Sequence, residues 1–214
     1  YGGVRMVTLT RRLQAIADMV MQGSTVVDVG TDHGYIPVYL VQNSICDRAV
    51  ACDINEGPLN SCRLLVSQSN LNDRIECVLS DGLKNISSFY DTVVIAGMGG
   101  ELIANILSNA VDICSKRIIL NPMTHPELAR KWIYDNGFEI TKDIIVADGK
   151  HHYNVFCAHH TDIAVEKSVV DYYLGAIDDF GDKEYFEHLL VYLRNNQKSG
   201  ADLENIICKI EEKL

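Results

Sequence analysis

TVVDVGTDHG, residues 25–34, reads as a short buried strand that runs into a glycine-rich turn. Its valines favour the strand, and Pro37 suits the first turn of a helix that follows. Glycine in such a turn lets the backbone approach a ligand closely, where the amide groups of a helix N-terminus face outward. An ordinary tight connection between strand and helix explains the turn equally well. The stretch therefore predicts one strand–helix unit of an α/β fold and leaves its ligand open.

Strand-like segments alternate with amphipathic helical segments along most of the chain. The predicted strands are 25–30, 49–53, 74–79, 91–96 and 117–120, and the predicted helices are 9–21, 58–70, 102–110 and 126–137. Thr8 or Thr10 is expected to cap the first helix. This alternation is typical of a parallel sheet with helices on both faces.

The last two predicted strands, 140–147 and 153–159, are joined only by a short turn at 148–150. Without a helix between them, they should pair in an antiparallel way. We therefore expect a Rossmann-like α/β fold with a mostly parallel seven-stranded sheet and an antiparallel closing strand.

The character of the sequence changes after Thr161. Helices are predicted at 166–179 and 183–196, and a last helix follows a break at 199–200. The pattern indicates a small helical hairpin similar to a short coiled coil. We expect a ligand-binding domain at 1–162 and a C-terminal helical domain at 163–214.

Composition limits where and how the protein acts. Of the 214 residues, seven are cysteines, an odd number without any C-x-x-C spacing, which favours free thiols over a disulfide framework. The sequence shows neither a signal peptide nor an apolar run of membrane-spanning length, so a cytoplasmic location is expected. Met6 is a candidate start, with residues 1–5 then lying ahead of the natural chain.

The net charge of −10 argues against a general electrostatic hold on nucleic acid. An RNA ligand would need a local basic patch, for which the candidates are Arg11, Arg12, Lys116, Arg117, Arg130 and Lys131. Scattered solvated charges explain the same residues.

Two carboxylates at predicted strand ends indicate a nucleoside ligand. Asp53 ends the second strand, where its oxygens can accept hydrogen bonds from both ribose hydroxyls, as in nicotinamide dinucleotide or S-adenosylmethionine sites. The first turn lacks the G-x-G-x-x-G spacing that a pyrophosphate requires, and Asp81-Gly82 offers a carboxylate to an adenine amino group. Both features favour S-adenosylmethionine.

Two further turns are candidate parts of the site. Gly97-Met98-Gly99 leaves room for a cofactor or a flat base, although a glycine turn that opens a helix explains it as well. Pro122 keeps Asn121 extended, so that its amide can face the cleft and match the edge of an adenine; an ordinary loop is the alternative. Two pairs of adjacent histidines, 151–152 and 159–160, would point to opposite faces of a strand, so we expect no metal site.

Four segments together resemble a known family. DVGTDHGY at 28–35, GMGG at 97–100, LNP at 120–122 and LTRRL at 9–13 are similar to the bacterial tRNA (adenine-N1)-methyltransferases that modify adenine 22. The resemblance extends over nearly the whole chain. The sequence departs from the family pattern after Pro122, where Met123-Thr124-His125 replaces a more polar start.

The resemblance implies a class I methyltransferase fold, S-adenosylmethionine as cofactor and tRNA as substrate, without an obligate protein partner. The methionine end of the cofactor would contact Asp28, Gly30, Thr31 and Gly34. The ribose would contact Asp53 and the adjacent Ile54, and the adenine would contact Asp81 and Gly82. The Gly97-Met98-Gly99 turn would complete the site. The base pocket would contain Asp32, His33, Asn121 and Pro122, with Arg11 and Arg12 on the RNA. The alternatives are a nicotinamide-dependent oxidoreductase, a methyltransferase with another acceptor, and an RNA-binding module without activity.

Overall fold

A computed structural model describes residues 5–86, 89–161, 167–196 and 203–214. Within these ranges the strands are Ser24–Val29 (β1), Cys46–Asp53 (β2), Ile75–Leu79 (β3), Thr92–Met98 (β4), Arg117–Pro122 (β5), Phe138–Asp148 (β6) and His151–His160 (β7). The α-helices are Arg11–Ala17 (α1), Tyr35–Gln42 (α2), Glu56–Gln68 (α3), Gly100–Ser108 (α4), Pro126–Asp135 (α5), Val169–Leu174 (α6), Lys183–Asn196 (α7) and Glu204–Glu211 (α8). None of these helices is long and apolar enough to cross a bilayer.

The seven strands form one sheet in the order β3-β2-β1-β4-β5-β7-β6. Strands β1 to β5 are parallel, and β7 runs antiparallel to both of its neighbours, β5 and β6. The predicted mostly parallel sheet with an antiparallel closing strand is confirmed. The β6–β7 hairpin turns at Gly149, which has a positive φ of 67°, and so places the antiparallel strand inside the sheet rather than at its edge.

Both faces of the sheet are covered, as the alternation of strands and helices predicted. Val26 packs on one face with buried residues of α1, α2 and α3. Its neighbour Val27 packs on the other face with Ile103 of α4 and Ile133 of α5. Successive side chains of a strand point to opposite faces, so the continuous apolar run of β1 serves two cores at once.

The C-terminal helices have an apolar cluster of their own, which includes Leu174 of α6, Phe186 of α7 and Ile206 of α8. The helix predicted over 166–179 was too long, because α6 begins after its N-cap Ser168 and ends at Gly175. Gly175 has φ +59° and lies so close to Asp143 and Arg130 that a Cβ atom would not fit. The predicted domain boundary at 162–163 and the break at 199–200 lie outside the described residues, and the two-domain division stays a prediction.

Gly100 allows the connections after β4 and β5 to come together. Its amide donates a hydrogen bond to the carbonyl of Thr124 at 2.8 Å, and the Met123 amide donates to the carbonyl of Met98 at 2.8 Å. A Cβ atom on Gly100 would lie 2.0 Å from the carbonyl oxygen of His125. Only glycine fits there without movement of the backbone.

We therefore expect Gly100→Ala to lower the free energy of unfolding by about 2 kcal/mol or more, because the backbone has to move to admit the methyl group. Urea unfolding followed by circular dichroism measures the change. Gly57→Ala is the matched control, since a Cβ atom on Gly57, which lies in α3, would meet no other atom within 4 Å. This control should change stability by less than about 1 kcal/mol. Equal stability of the two variants would contradict the close approach at Gly100.

Candidate active site

A cavity of about 790 Å³ opens where β1, β2, β3 and β4 end. Strands β1 and β4 are neighbours, and the chain leaves them toward opposite sides of the sheet, which is where open α/β sheets bind ligands. Of the residues selected from the sequence, those that line the cavity are Arg12, Asp28, Gly30, Thr31, Asp32, His33, Asp53, Ile54, Asp81, Gly82, Gly97 and Met98. Those outside its lining are Arg11, Gly34, Gly99, Asn121 and Pro122.

Asp28 is a buried carboxylate at the base of the cavity. The Thr31 hydroxyl donates a hydrogen bond to its Oδ2 at 2.7 Å, and the amides of Gly30 and Thr31 donate to the carbonyl of Cys52 at 2.8 and 2.9 Å. Burial raises the pKa of Asp28 to about 6, the Thr31 hydrogen bond lowers it, and the charge of Asp53 raises it further. The turn after β1 is thus fixed against the end of β2, next to the Asp28 carboxyl, whose raised pKa disfavours ionisation.

Asp53 connects the turns after β1 and β2. Its Oδ1 accepts a hydrogen bond from the Asn55 amide at 2.9 Å, and its Oδ2 lies 3.4 Å from the Asp32 amide. The carboxylate is 8% exposed and borders the cavity. Each carboxylate oxygen has a second lone pair, so the side chain can still accept hydrogen bonds from a ribose diol.

The other acidic groups are more accessible. Asp81 is exposed and forms a 2.5 Å ion pair with Lys84. Asp32 is exposed at the mouth, with its carboxylate 3.7 Å from the Nε2 atom of His33. The His33 ring contacts the Tyr35 ring at a centroid distance of 5.6 Å. The mouth therefore combines a carboxylate with two rings.

Arg12 of α1, rather than Asn121 of β5, lines the cavity. Asn121 is fully buried; its Oδ1 accepts a hydrogen bond from Arg12 Nη1 at 2.8 Å, and its Nδ2 donates to the carbonyl of Asn154 at 2.9 Å. The Arg12 guanidinium also lies 5.4 Å from the centre of the Tyr153 ring. The Asn121 amide was expected to face the cleft, but it does not line the cavity. Both its oxygen and its nitrogen are hydrogen-bonded inside the protein.

A buried ion pair lies behind Asn121. Arg130 donates hydrogen bonds to Asp143 at 2.9 and 3.0 Å, and both side chains are fully buried. Arg130 also donates to the Asn154 side chain at 2.7 Å and to the carbonyl of Tyr173 in α6 at 2.9 Å. The C-terminal helices are thereby connected through Asn154 to Asn121 and the cavity wall.

Two of the candidates for a basic patch are buried and paired, which neither a basic patch nor scattered solvated charges describes. Arg130 is fully buried in the ion pair. Lys116 is 8% exposed, pairs with Asp112 at 3.3 Å and lies over the Tyr90 ring. Lysine and arginine stems pack well in apolar surroundings when the charge finds a partner, which composition does not reveal. Arg11 is exposed and remains available to a ligand.

Several cavity residues were missed from the sequence, namely Tyr35, Ile36, Ser80, Leu102, Ile106 and Met123. Most are apolar and stand in or just before the helices that follow β1, β4 and β5. That position was the available signal, since the first turn after a strand in such a fold faces the ligand. Among the described residues, no group of three or more histidine, cysteine or acidic side chains is arranged to hold a metal ion.

Comparison with known proteins identifies the family. Residues 9–156 match the protein family described as "Methyltransferase domain". The chain belongs to this methyltransferase family. The match spans more than half of the chain and includes β1 to β5 and the cavity they form.

This methyltransferase also has similar relatives of known name. It is 36% identical over 157 residues to the tRNA (adenine(22)-N(1))-methyltransferase of Bacillus subtilis (strain 168), covering 72% of this chain and 66% of that protein, just under two thirds of its length. The crystal structure of the B. subtilis M1A22 tRNA methyltransferase TrmK is 27% identical with a TM-score of 0.81, covering 97% of this chain and 96% of the other. M. capricolum TrmK in complex with S-adenosyl-homocysteine is 27% identical with a TM-score of 0.79, covering 96% and 94%. The family resemblance of the sequence motifs is confirmed.

The cavity of this methyltransferase fits a cationic cofactor better than a dinucleotide. Asp28, Asp32, Asp53 and Asp81 all line it, against one arginine, Arg12. Carboxylates favour the sulfonium and ammonium groups of S-adenosylmethionine and would repel a pyrophosphate. The volume is also in the usual range for a site that binds a small molecule.

The buried Asp28 leads to a pH-dependent prediction. Its folded pKa of about 6 lies above the ordinary value of 3.8, so ionisation costs the folded state stability as pH rises through this interval, by about 3 kcal/mol in full. We expect Asp28→Asn to be more stable than the wild type by about 1–3 kcal/mol at pH 8, with little difference at pH 4. Urea unfolding at both pH values measures this.

The same variant should bind S-adenosylhomocysteine at least tenfold more weakly by calorimetry, because the cofactor's ammonium loses its charged partner. Asp32→Asn is the control, since Asp32 lines the same cavity but is exposed. Its replacement relieves no buried charge and should not stabilise the protein at pH 8. An Asp28→Asn variant that is less stable than the wild type at pH 8 would contradict the cost assigned to the buried charge.

Proposed function

We propose that the protein transfers a methyl group from S-adenosylmethionine to N1 of an adenine in tRNA, at the position equivalent to adenine 22. The observation that carries the proposal is an acidic cavity of about 790 Å³ at the ends of β1 to β4, in a chain 36% identical to a tRNA (adenine(22)-N(1))-methyltransferase. The M. capricolum relative, of the same fold, was solved with the cofactor product.

The family resemblance supplies the cofactor roles, and the strand-end positions of these residues are consistent with them. Asp28, with the turn from Gly30 to Gly34, would hold the methionine end over β1. Asp53 and Ile54 would hold the ribose over β2, and Asp81 with Gly82 the adenine over β3. Gly97 and Met98 would form the wall over β4. S-adenosylmethionine supplies the activated methyl group when bound.

The chemistry requires alignment rather than proton transfer. Adenine N1 carries a free lone pair, so no side chain has to act as a general base. The reaction moves a positive charge toward the base, and the exposed carboxylate of Asp32 at the mouth can stabilise it. His33 and Tyr35 offer rings beside the same point. Asn121 would act from behind by holding Arg12 at the wall, and Pro122 would keep Asn121 extended.

N1 is a Watson–Crick atom, so a paired adenine would have to turn out of its helix before it could react. Arg12 on the cavity wall and its exposed neighbour Arg11 would contact the RNA backbone. A tRNA substrate is also consistent with a cytoplasmic location. The acidic cavity and the methyltransferase family oppose the oxidoreductase alternative; the assay below also distinguishes transfer to another acceptor.

Incubation of the protein with labelled S-adenosylmethionine and unmodified bacterial tRNA should yield labelled 1-methyladenosine at a single site. Nuclease digestion followed by mass spectrometry identifies the nucleoside and its position. If the protein binds the cofactor but no label enters tRNA, the protein is still a methyltransferase, but its acceptor is a molecule other than tRNA. Loss of label with Asp28→Asn serves as the negative control.

Asn121→Ala should lower the rate of methyl transfer at least tenfold while affinity for S-adenosylhomocysteine is unchanged, because Arg12 loses its anchor but the cofactor contacts remain. Single-turnover assays and calorimetry measure the two quantities, with folding checked by circular dichroism. Asn109→Ala is the matched control, since Asn109 is exposed and its amide bonds only within α4, to Asn105. A near-normal rate in Asn121→Ala would remove this residue from the active site.

A further inference from the structure

A second cavity, of about 710 Å³, lies between the connection after β5, the β6–β7 turn and helices α6 and α7. Aromatic and imidazole rings dominate its wall: His152, Tyr153, Tyr173, Tyr185, His188 and Tyr192. Flat bases stack on such rings, whereas an ordinary apolar core would not leave them facing an open space.

The second cavity adjoins the first. Met123 lines both. Tyr153, on the wall of the second cavity, lies beneath the guanidinium of Arg12, which is on the wall of the first. An extended ligand bound at one cavity can therefore continue into the other, and RNA is such a ligand under the proposed function.

Glu127 determines which part of a nucleotide suits the second cavity. Its side chain is only 14% exposed, lines this cavity and lies 2.9 Å from Nδ1 of His125. Burial raises the pKa of Tyr173 to about 12, with a smaller contribution in the same direction from the negative charge of Glu127. A carboxylate repels phosphate but accepts hydrogen bonds from the exocyclic amino group of a base. Lys150, which also lines the cavity, is exposed and could contact a phosphate outside it.

We propose that the second cavity binds one unpaired, amino-bearing nucleobase of the RNA substrate, a near neighbour of the adenine that reacts in the first cavity. The base stacks on the tyrosine rings, its amino group faces Glu127, and its phosphate stays outside near Lys150. This inference rests on the proposed tRNA substrate. It explains how a protein of net charge −10 can hold RNA with few phosphate contacts.

The test is a double-mutant cycle between a ring and a base. Tyr192→Ala removes a ring that is 41% exposed and lies outside the apolar cluster of the C-terminal helices. It should raise KM for tRNA at least about fivefold, as expected for the loss of one stacked base. The kcat value and the affinity for S-adenosylhomocysteine should not change. Tyr192→Phe keeps the ring and should behave as wild type, as should Val191→Ala, a neighbouring exposed residue outside the cavity.

The RNA partner is a series of tRNAs, each with one abasic nucleotide within two positions of the methylated adenine. At one position the abasic change should raise KM for the wild type by a similar factor and have no further effect in Tyr192→Ala. Additive effects at every position would overturn the inference. If no tRNA is methylated, the proposed function fails, and the same cycle measured as tRNA affinity by filter binding still decides whether the cavity binds a base.

Discussion

The buried ion pair between Arg130 and Asp143 is the interaction on which both cavities depend. Its guanidinium joins α5 to β6, to Asn154 in β7 and to the main chain of α6. Removing one partner of such a pair usually costs about 3–5 kcal/mol, because the other charge stays buried without compensation. Gly175 permits the close contact, since a Cβ atom there would overlap both charged groups. The position of the C-terminal helices, and with it the second cavity, follows from this pair.

From the same pair a chain of hydrogen bonds leads to the first cavity. The Asn154 side chain accepts a hydrogen bond from the Arg130 guanidinium, and its main-chain carbonyl accepts one from the Asn121 side chain. Asn121 in turn accepts a hydrogen bond from Arg12 at the cavity wall. A change in the position of α6 would therefore reach Arg12 at the wall of the first cavity. Fully satisfied networks of this kind are stiff, because each member has only one arrangement that pairs every polar atom.

The acidic character of the protein is divided between two uses. At the first cavity the carboxylates of Asp28 and Asp53 suit a cationic cofactor, and burial of Asp28 makes its charge costly until a cation arrives. At the second cavity Glu127 stands among tyrosine rings, where it can select bases by their amino groups. RNA recognition by rings and shape is compatible with a negative protein, whereas recognition by phosphate contacts alone is not.

Much of the fold was accessible from local patterns. Thr10 caps α1 as one of the two expected residues, and the strands lie where the apolar runs predicted them. Eleven of the selected site residues line one cavity because the carboxyl ends of parallel strands share an edge, and Arg12 of α1 lines it as well. The length of α6, the position of β7 and the burial of Arg130 could not be predicted in this way. Each depends on which distant surface the segment meets.

The sequence by itself determined the α/β class, the turn after β1 and the acidic residues at the strand ends, since these follow from periodicity, from glycine and from short-range spacing. Only the tertiary structure decided that Asn121 faces Arg12, 109 residues away along the chain, and that tyrosines from three elements enclose a second cavity beside the first. Such contacts arise from the order of the strands and the docking of the last helices. A linear pattern contains the partners but not the distances between them.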